Sequence, residues 1–215
     1  MPFSSVLGAS SAIKPGVCTS TTRPSVPFEG QLIYETDTDR VAAYNGSAWV
    51  YTHSSGLVLI SSTTIGNAVA SVTVSNAFSE TYDNYKIIIS GGVASTATYL
   101  KLTLGATATN YYYAGVFTSA NWGLSLAGDS AANAAHFVGG GATTTSLSGS
   151  IELFAPNLAK ATTYNTIYSD MRTAGTQQFY GGYLNNSTQY TAFTLTTAAG
   201  TVTGGTIRVY GYANS

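Results

Sequence analysis

Side chains able to do acid, base or metal chemistry are few and scattered in this sequence. His53 and His136 are the only histidines among 215 residues. Asp129, His136 and any of the many serines spell a Ser-His-Asp set by composition alone. A triad is a geometry, with the base touching the nucleophile and a carboxylate orienting the base. No spacing here builds one, and His136 beside Phe137 reads as a packed or rim histidine. Glu152 and Asp170 fall in strand-like stretches, and glycoside hydrolysis needs two carboxylates a few ångströms apart. The plainer reading of both is surface or interface carboxylates. Asp37-x-Asp39 has the opening of a calcium loop without its later ligands, so it reads as a turn. Gly139-Gly140-Gly141 is followed by neither Lys-Ser/Thr nor a helix, which a phosphate loop requires. Cys18 is the single cysteine, so no intrachain disulfide forms, and no Cys/His set makes a zinc site. The expectation is a non-enzyme with no catalytic residue, no metal and no cofactor.

Aromatic residues are the other candidate chemistry. Tyr111, Tyr112 and Tyr113, with Trp122, supply ring faces beside a long Gly/Ala/Ser/Thr stretch. Exposed rings on a charge-poor β scaffold suit sugar rings or protein surfaces, so these four are the candidate receptor contact. The competing reading has the tyrosines alternating between core and a subunit interface.

The elements that position these residues read as β throughout. Residues 1–22 hold no steady periodicity. They form either a disordered terminus or an extended arm ordering against a partner, with Phe3, Val6, Leu7, Ile13 and Val17 as apolar anchors. Pro24 and Pro27 favour an extended entry. Residues 31–35, 40–44 and 48–52 then read as a three-stranded meander within a 23–52 module. Thr36-Asp37-Thr38-Asp39 makes its first turn, and Asn45-Gly46 a type I′ turn. Leu32, Tyr34 and Trp49 are expected on one face, and Ile33, Val41, Ala43 and Val50 on the other. Both faces are thus apolar, and so small a sheet seldom stands without staples or partners. Self-association about a threefold axis is the simplest remedy, with Leu32, Tyr34, Tyr44 and Trp49 at the interface.

Beyond a short linker, residues 57–215 carry nine or ten short strands and no long amphipathic helix. Leu100, Leu102 and Leu104 alternate with Lys101 and Thr103, and Leu147, Ile151 and Leu153 repeat the pattern. Residues 119–145 read as a long loop, a common place for function. The fold class is all-β: an extended arm, a small β meander and a C-terminal antiparallel β-sandwich, jelly-roll-like.

Bulk composition narrows the function classes. Only 8% of residues are charged, against about 25% in ordinary soluble domains. The net charge of −1 gives no footprint for nucleic acid or an anionic membrane. With 44% hydrophobic residues this is not the signature of disorder. No apolar run reaches the 18 or so residues of a membrane span, and Met1-Pro2-Phe3-Ser4-Ser5 lacks the basic start of a secretory signal. So low a charge suits a protein that buries much of its surface against copies or partners.

Arg23-Pro24-Ser25-x-Pro27-x-Glu29-Gly30-Gln31-x-Ile33-Tyr34-Glu35-Thr36-Asp37-Thr38-Asp39-Arg40, with Tyr44-Asn45-Gly46-Ser47-Ala48-Trp49, resembles a module of tailed-bacteriophage virion proteins. Ser71-Val72-Thr73-Val74-x-Asn76-Ala77-Phe78, Tyr82-Asp83-Asn84-Tyr85, the stretch Phe154-Ala155-Pro156-Asn157-Leu158-Ala159-Lys160 and Gly204-Gly205-Thr206-Ile207-Arg208-Val209-Tyr210-Gly211-Tyr212 are similar to structural proteins of marine and cyanobacterial phages. The resemblance implies a homotrimer without catalysis, assembled in the host cytoplasm and residing in the virion. Its arm would dock on a capsid or on a tail or baseplate protein, residues 23–49 would form a trimeric neck, and its outer domain would face outward. Long tail fibres carry a coiled-coil or β-helix shaft, which this chain lacks. Capsid decoration or cement therefore stands beside a short tail fibre that contacts host surface glycan. The rivals are a free carbohydrate-binding module and an enzyme acting on cell-surface polysaccharide.

Overall fold

The computed structural model describes residues 15–52, 56–118, 124–126, 131–170 and 176–214. The chain divides into two compact units, Met1–Ser55 and Gly56–Ser215. Every strand or helix among the described residues is a strand.

The first unit, the neck, is a four-stranded sheet in chain order: β1 (Gly16–Cys18), β2 (Leu32–Glu35), β3 (Arg40–Tyr44) and β4 (Trp49–Tyr51). The meander β2–β3–β4 is antiparallel, as its alternation predicts. The added strand β1 pairs parallel to β2, so residues 16–18 of the expected arm belong to the neck sheet. Asp37 contributes to that placement: its carboxylate accepts hydrogen bonds from Ser20 N at 2.8 Å and Ser20 Oγ at 2.5 Å. Anchors Phe3, Val6, Leu7 and Ile13 lie outside the described residues.

Register corrects the expected faces. Paired residues share a face, and Tyr44 pairs with Trp49, Ala42 with Ile33 and Tyr51, and Leu32 with Ala43. One face therefore holds Ile33, Glu35, Ala42, Tyr44, Trp49 and Tyr51. The other holds Val17, Leu32, Tyr34, Val41, Ala43 and Val50. Leu32 and Tyr34 are thus separated from Tyr44 and Trp49, because Glu35 pairs with Arg40 across the first turn, which sets Leu32 and Tyr34 beside Ala43 and Val41 and leaves Tyr44 and Trp49 on the face of Ile33 and Ala42. The 45–48 turn is also wider than a two-residue type I′ turn. Asn45 N bonds Ala48 O at 3.0 Å, the Asn45 side chain accepts from Ser47 N and Ala48 N, and of the two residues only Gly46 has positive φ.

The second unit, the body, comprises β5 (Leu57–Thr64), β6 (Ser71–Val74), β7 (Asn84–Ser90), β8 (Val93–Ala94), β9 (Thr98–Leu104), β10 (Tyr111–Thr118), β11 (Leu124–Leu126), β12 (Ala131–Ala134), β13 (Phe137–Ala142), β14 (Leu147–Phe154), β15 (Thr162–Asp170), β16 (Thr176–Leu184), β17 (Phe193–Thr197), β18 (Val202–Thr203) and β19 (Thr206–Tyr212). Antiparallel pairing gives a larger layer, β5-β19-β7-β14-β15-β16-β10, with β11 and β12 on the far edge of β10. A smaller layer runs β13-β9-β17-β6. The β13–β14 hairpin joins the two.

Alternation along these strands builds the sandwich core. Tyr85, Ile87 and Ile89 of β7, Ile151 and Leu153 of β14, and Ile207 and Val209 of β19 face Leu100, Leu102 and Leu104 of β9 and Phe193 and Leu195 of β17. Residues of both layers line one tight internal gap of about 10 Å³, among them Ile89, Leu147 and Ile207 opposite Leu100 and Leu195. Each such side chain contributes roughly 1.5–3 kcal/mol by leaving water.

The expected long loop at 119–145 is corrected by β11, β12 and β13. In β13, Phe-Val-Gly-Gly-Gly-Ala is buried at every position. Its glycines answer close approach: a Cβ on Gly140 would stand 2.5 Å from Ser148 O, and one on Gly141 would stand 2.9 Å from the Tyr168 ring. The strand also shifts register between Val138 and Gly140, the mark of a bulge.

Candidate functional site

Period-two alternation sorts the tyrosine run by position. Tyr111 points into the core and is fully buried. Its hydroxyl accepts from Leu104 N at 2.8 Å and donates to Thr107 O at 3.1 Å. Burial pushes this phenol up to about 12, because a phenolate would be stranded in apolar surroundings. Tyr113 also turns inward, packing partly buried against the core and edge-on to Tyr180. Only Tyr112 faces out. Its ring stacks on Tyr183 at 5.0 Å and 8° between planes, which follows from their pairing across β10 and β16. Trp122, His53 and Asp129 lie outside the described residues. Of the four expected receptor contacts, then, Tyr112 alone is placed on a surface, and its partner Tyr183 is a residue the sequence reading missed.

The surface it lies on is the outer face of the larger layer. Register places Lys86, Glu152, Asn165, Gly181 and Ala114 in one row across β7, β14, β15, β16 and β10. Ile88, Ser150, Ile167, Phe179 and Val116 form the next row. Ile167 is 49% exposed and Phe179 39% exposed. A groove of about 520 Å³ opens here, with Gly181 at its floor, Val116, Ile167 and Phe179 along one side, and Glu152 and Asn165 at the polar end. Gly181 matters to this shape: a Cβ there would meet Asn165 Oδ1 at 3.1 Å.

Glu152 is the one carboxylate at the groove. Its Oε1 accepts from Tyr212 OH at 2.7 Å and from Lys86 Nζ at 3.4 Å. The Tyr212 hydrogen bond, with Lys86 beside it, holds the carboxyl below the usual range despite partial burial. A proton donor for hydrolysis needs the opposite shift. The position of the second candidate is also remote. Glu152 pairs with Asn165, and Asp170 is five residues farther along β15, about 16 Å away at ~3.3 Å per residue. Paired carboxylates in glycosidases stand about 5–9.5 Å apart, well short of the separation of these two backbone positions. His136 is half-buried and stacks on Tyr99 at 6.2 Å, a packed histidine.

A second polar cluster sits in the neck. Glu35, with no exposed surface, accepts from Arg23 Nε at 2.5 Å, Thr38 Oγ1 at 2.9 Å and Tyr51 OH at 3.0 Å. Arg23 also donates to Tyr51 OH at 3.3 Å, and the Arg40 guanidinium lies 4.9 Å over the Tyr51 ring. The Arg23 hydrogen bond holds the Glu35 carboxyl below its usual range against the opposing effect of burial. Every oxygen is engaged within the unit, so this is a structural clamp that fixes the 19–31 segment to the sheet. Among the described residues no group of His, Cys, Asp and Glu is placed to hold a metal, and no helix is long and apolar enough to cross a membrane. No protein-family model, no curated protein and no solved structure matches this chain.

Proposed function

We propose that the chain is a non-enzymatic structural protein of a tailed-bacteriophage virion, a homotrimer held together through its neck. The first residues, with Phe3, Val6, Leu7 and Ile13, anchor it to a capsid or tail protein, while Val17, expected among these anchors, sits in β1 of the neck sheet, and the body faces outward as capsid decoration or a short fibre. One observation carries the reading. The second face of the neck sheet presents Val17, Leu32 and Val50 at 57%, 42% and 43% exposure, with Tyr34, Val41 and Ala43 half-buried beside them. Among the described residues nothing covers it, while the opposite face is sealed by the Arg23–Glu35 clamp. A contiguous apolar patch of this kind marks an association surface, and a ring of identical copies closes it without leaving an edge. The interface residues are accordingly Leu32 and Tyr34 with Val17, Val41 and Val50, while Tyr44 and Trp49 brace the covered face. The sparse charge of the whole chain and the resemblance of residues 23–49 to virion modules point the same way.

Sedimentation velocity on the full chain tests assembly, with a three-copy species expected and a monomer at all concentrations overturning it. Immunogold labelling of particles with an antibody to the body tests placement. Gold on intact particles is the expected result, and gold confined to the soluble fraction would overturn the virion assignment.

A further inference from the structure

The groove on the outer face of the body has a chemistry of its own. Its volume of about 520 Å³ falls within the range of about 300–1,000 Å³ for small-molecule sites. One wall is hydrocarbon and aromatic, from Val116, Ile167 and Phe179. The polar end offers the Glu152 carboxylate, 34% exposed, and the exposed Asn165 amide. The groove spans β10, β14, β15 and β16, and β14, β15 and β16 are paired on both edges while β10 carries β11 and β12 on its far edge, so little free backbone is left for an extended peptide to add to, as strand addition requires. The single anionic charge is already balanced by Lys86 at 3.4 Å, so the site favours neither an anion nor a cation. The ligand that fits is neutral, has one flat apolar side and carries hydroxyls at its rim.

We propose that this groove is a binding subsite for a neutral hexopyranose ring of a glycan. The ring's C–H face packs on Phe179 and Ile167, and its hydroxyls donate to Glu152 and exchange hydrogen bonds with the Asn165 amide. Gly181 leaves the floor open for the ring. The Tyr112–Tyr183 stack, two residues along β16 and about 7 Å away, offers a second aromatic platform for the neighbouring sugar. The subsite is built from the body alone and does not rest on the neck's assembly.

An array of neutral and acidic oligosaccharides, probed with the labelled full chain and followed by solution titration of the best neutral hit, tests this. The native chain is expected to bind neutral hexose-containing glycans. Phe179→Ala should weaken binding by about tenfold or more, as loss of a central aromatic contact does. Gly181→Ala, which narrows the floor, should weaken it less. Both variants should keep the native circular dichroism and melting temperature, because both positions face outward. Binding to acidic glycans only, binding to none, or Phe179→Ala binding as well as the native chain would overturn the subsite. Dissociation of the oligomer by Phe179→Ala would equally overturn it, by making the groove a subunit seam. A monomeric native chain that still binds neutral glycan would end the trimer reading and leave the subsite standing.

Discussion

The neck and the body solve the same problem, covering a β-sheet, with different completeness. In the body two layers close on each other, and Tyr85, Ile87, Leu102, Leu104, Phe137, Ile151, Leu153 and Phe193 have essentially no exposed surface. In the neck one face is closed by an ion pair and its hydrogen-bond partners around Glu35, and the other is left apolar and open. Exposed sheet faces are not unusual in themselves. What distinguishes the neck is that its open face carries Val17, Leu32, Val41 and Val50 in place of polar residues. The contrast is that the body's apolar faces are covered by its own layers, whereas one apolar face of the neck is left uncovered by its described residues.

Perturbing the two units separately sharpens this contrast, and the largest effect belongs to the body core. Phe193→Ala removes a ring stacked on Phe78 at 5.7 Å and should destabilise the body by about 3–5 kcal/mol. Urea unfolding measures the loss, and hydrogen exchange of the neck amides should not change.

Extremes of pH separate the units next. Tyr111 is raised to about 12. Below pH 10 its phenol is neutral in both folded and unfolded chains, so its contribution is fully present. Between about pH 10 and 12 only the unfolded chain ionises, and the body should lose on the order of 2–3 kcal/mol. The neck should fail on the other side. Glu35 is depressed, so its contribution is present above the ordinary carboxylate range and lost as pH falls below about 4.5. Acid titration followed by neck hydrogen exchange should show loss there first, with the body still folded. A body that loosens before the neck in acid would reverse the assignment.

Within the neck the two faces should respond differently. Leu32→Asp, on the open face, should weaken the oligomer by about 1–2 kcal/mol per chain through lost burial while leaving the single chain folded. Trp49→Ala, on the covered face, removes the tilted contact with Tyr44 at 5.4 Å. It should cost the neck about 0.5–1.5 kcal/mol with a smaller effect on assembly. Sedimentation at matched concentrations compares the two, and a larger dissociation by Trp49→Ala would place the interface on the other face.

Much of the body was legible because its strands alternate. Thr98–Leu104 and Leu147–Phe154 read directly, since each has one buried face and a period of two. β13 was not legible. Glycine disfavours strands on propensity, and only the neighbouring Ser148 backbone and Tyr168 ring explain why residues without side chains are needed there. The neck's strands were legible but its faces were not. Face assignment depends on register: the Glu35–Arg40 pairing across the first turn sets Val41 and Ala43 beside Leu32 and Tyr34, which alternation along each strand taken separately does not reveal. β1 was hidden because a three-residue parallel strand has no periodicity to read. The groove escaped for a similar reason: Phe179, Gly181, Ile167 and Glu152 lie on three strands, and only pairing brings them into one patch.

The claim that the neck's open face is closed by other copies is tested most directly by hydrogen exchange on the full chain across a dilution series. The amides of Leu32–Tyr51 should lose protection as the oligomer dissociates, while those of β7, β9 and β14 keep theirs at every concentration. Neck protection that stays unchanged in a demonstrated monomer would contradict the account, and would assign the covering role to the chain's own remaining residues.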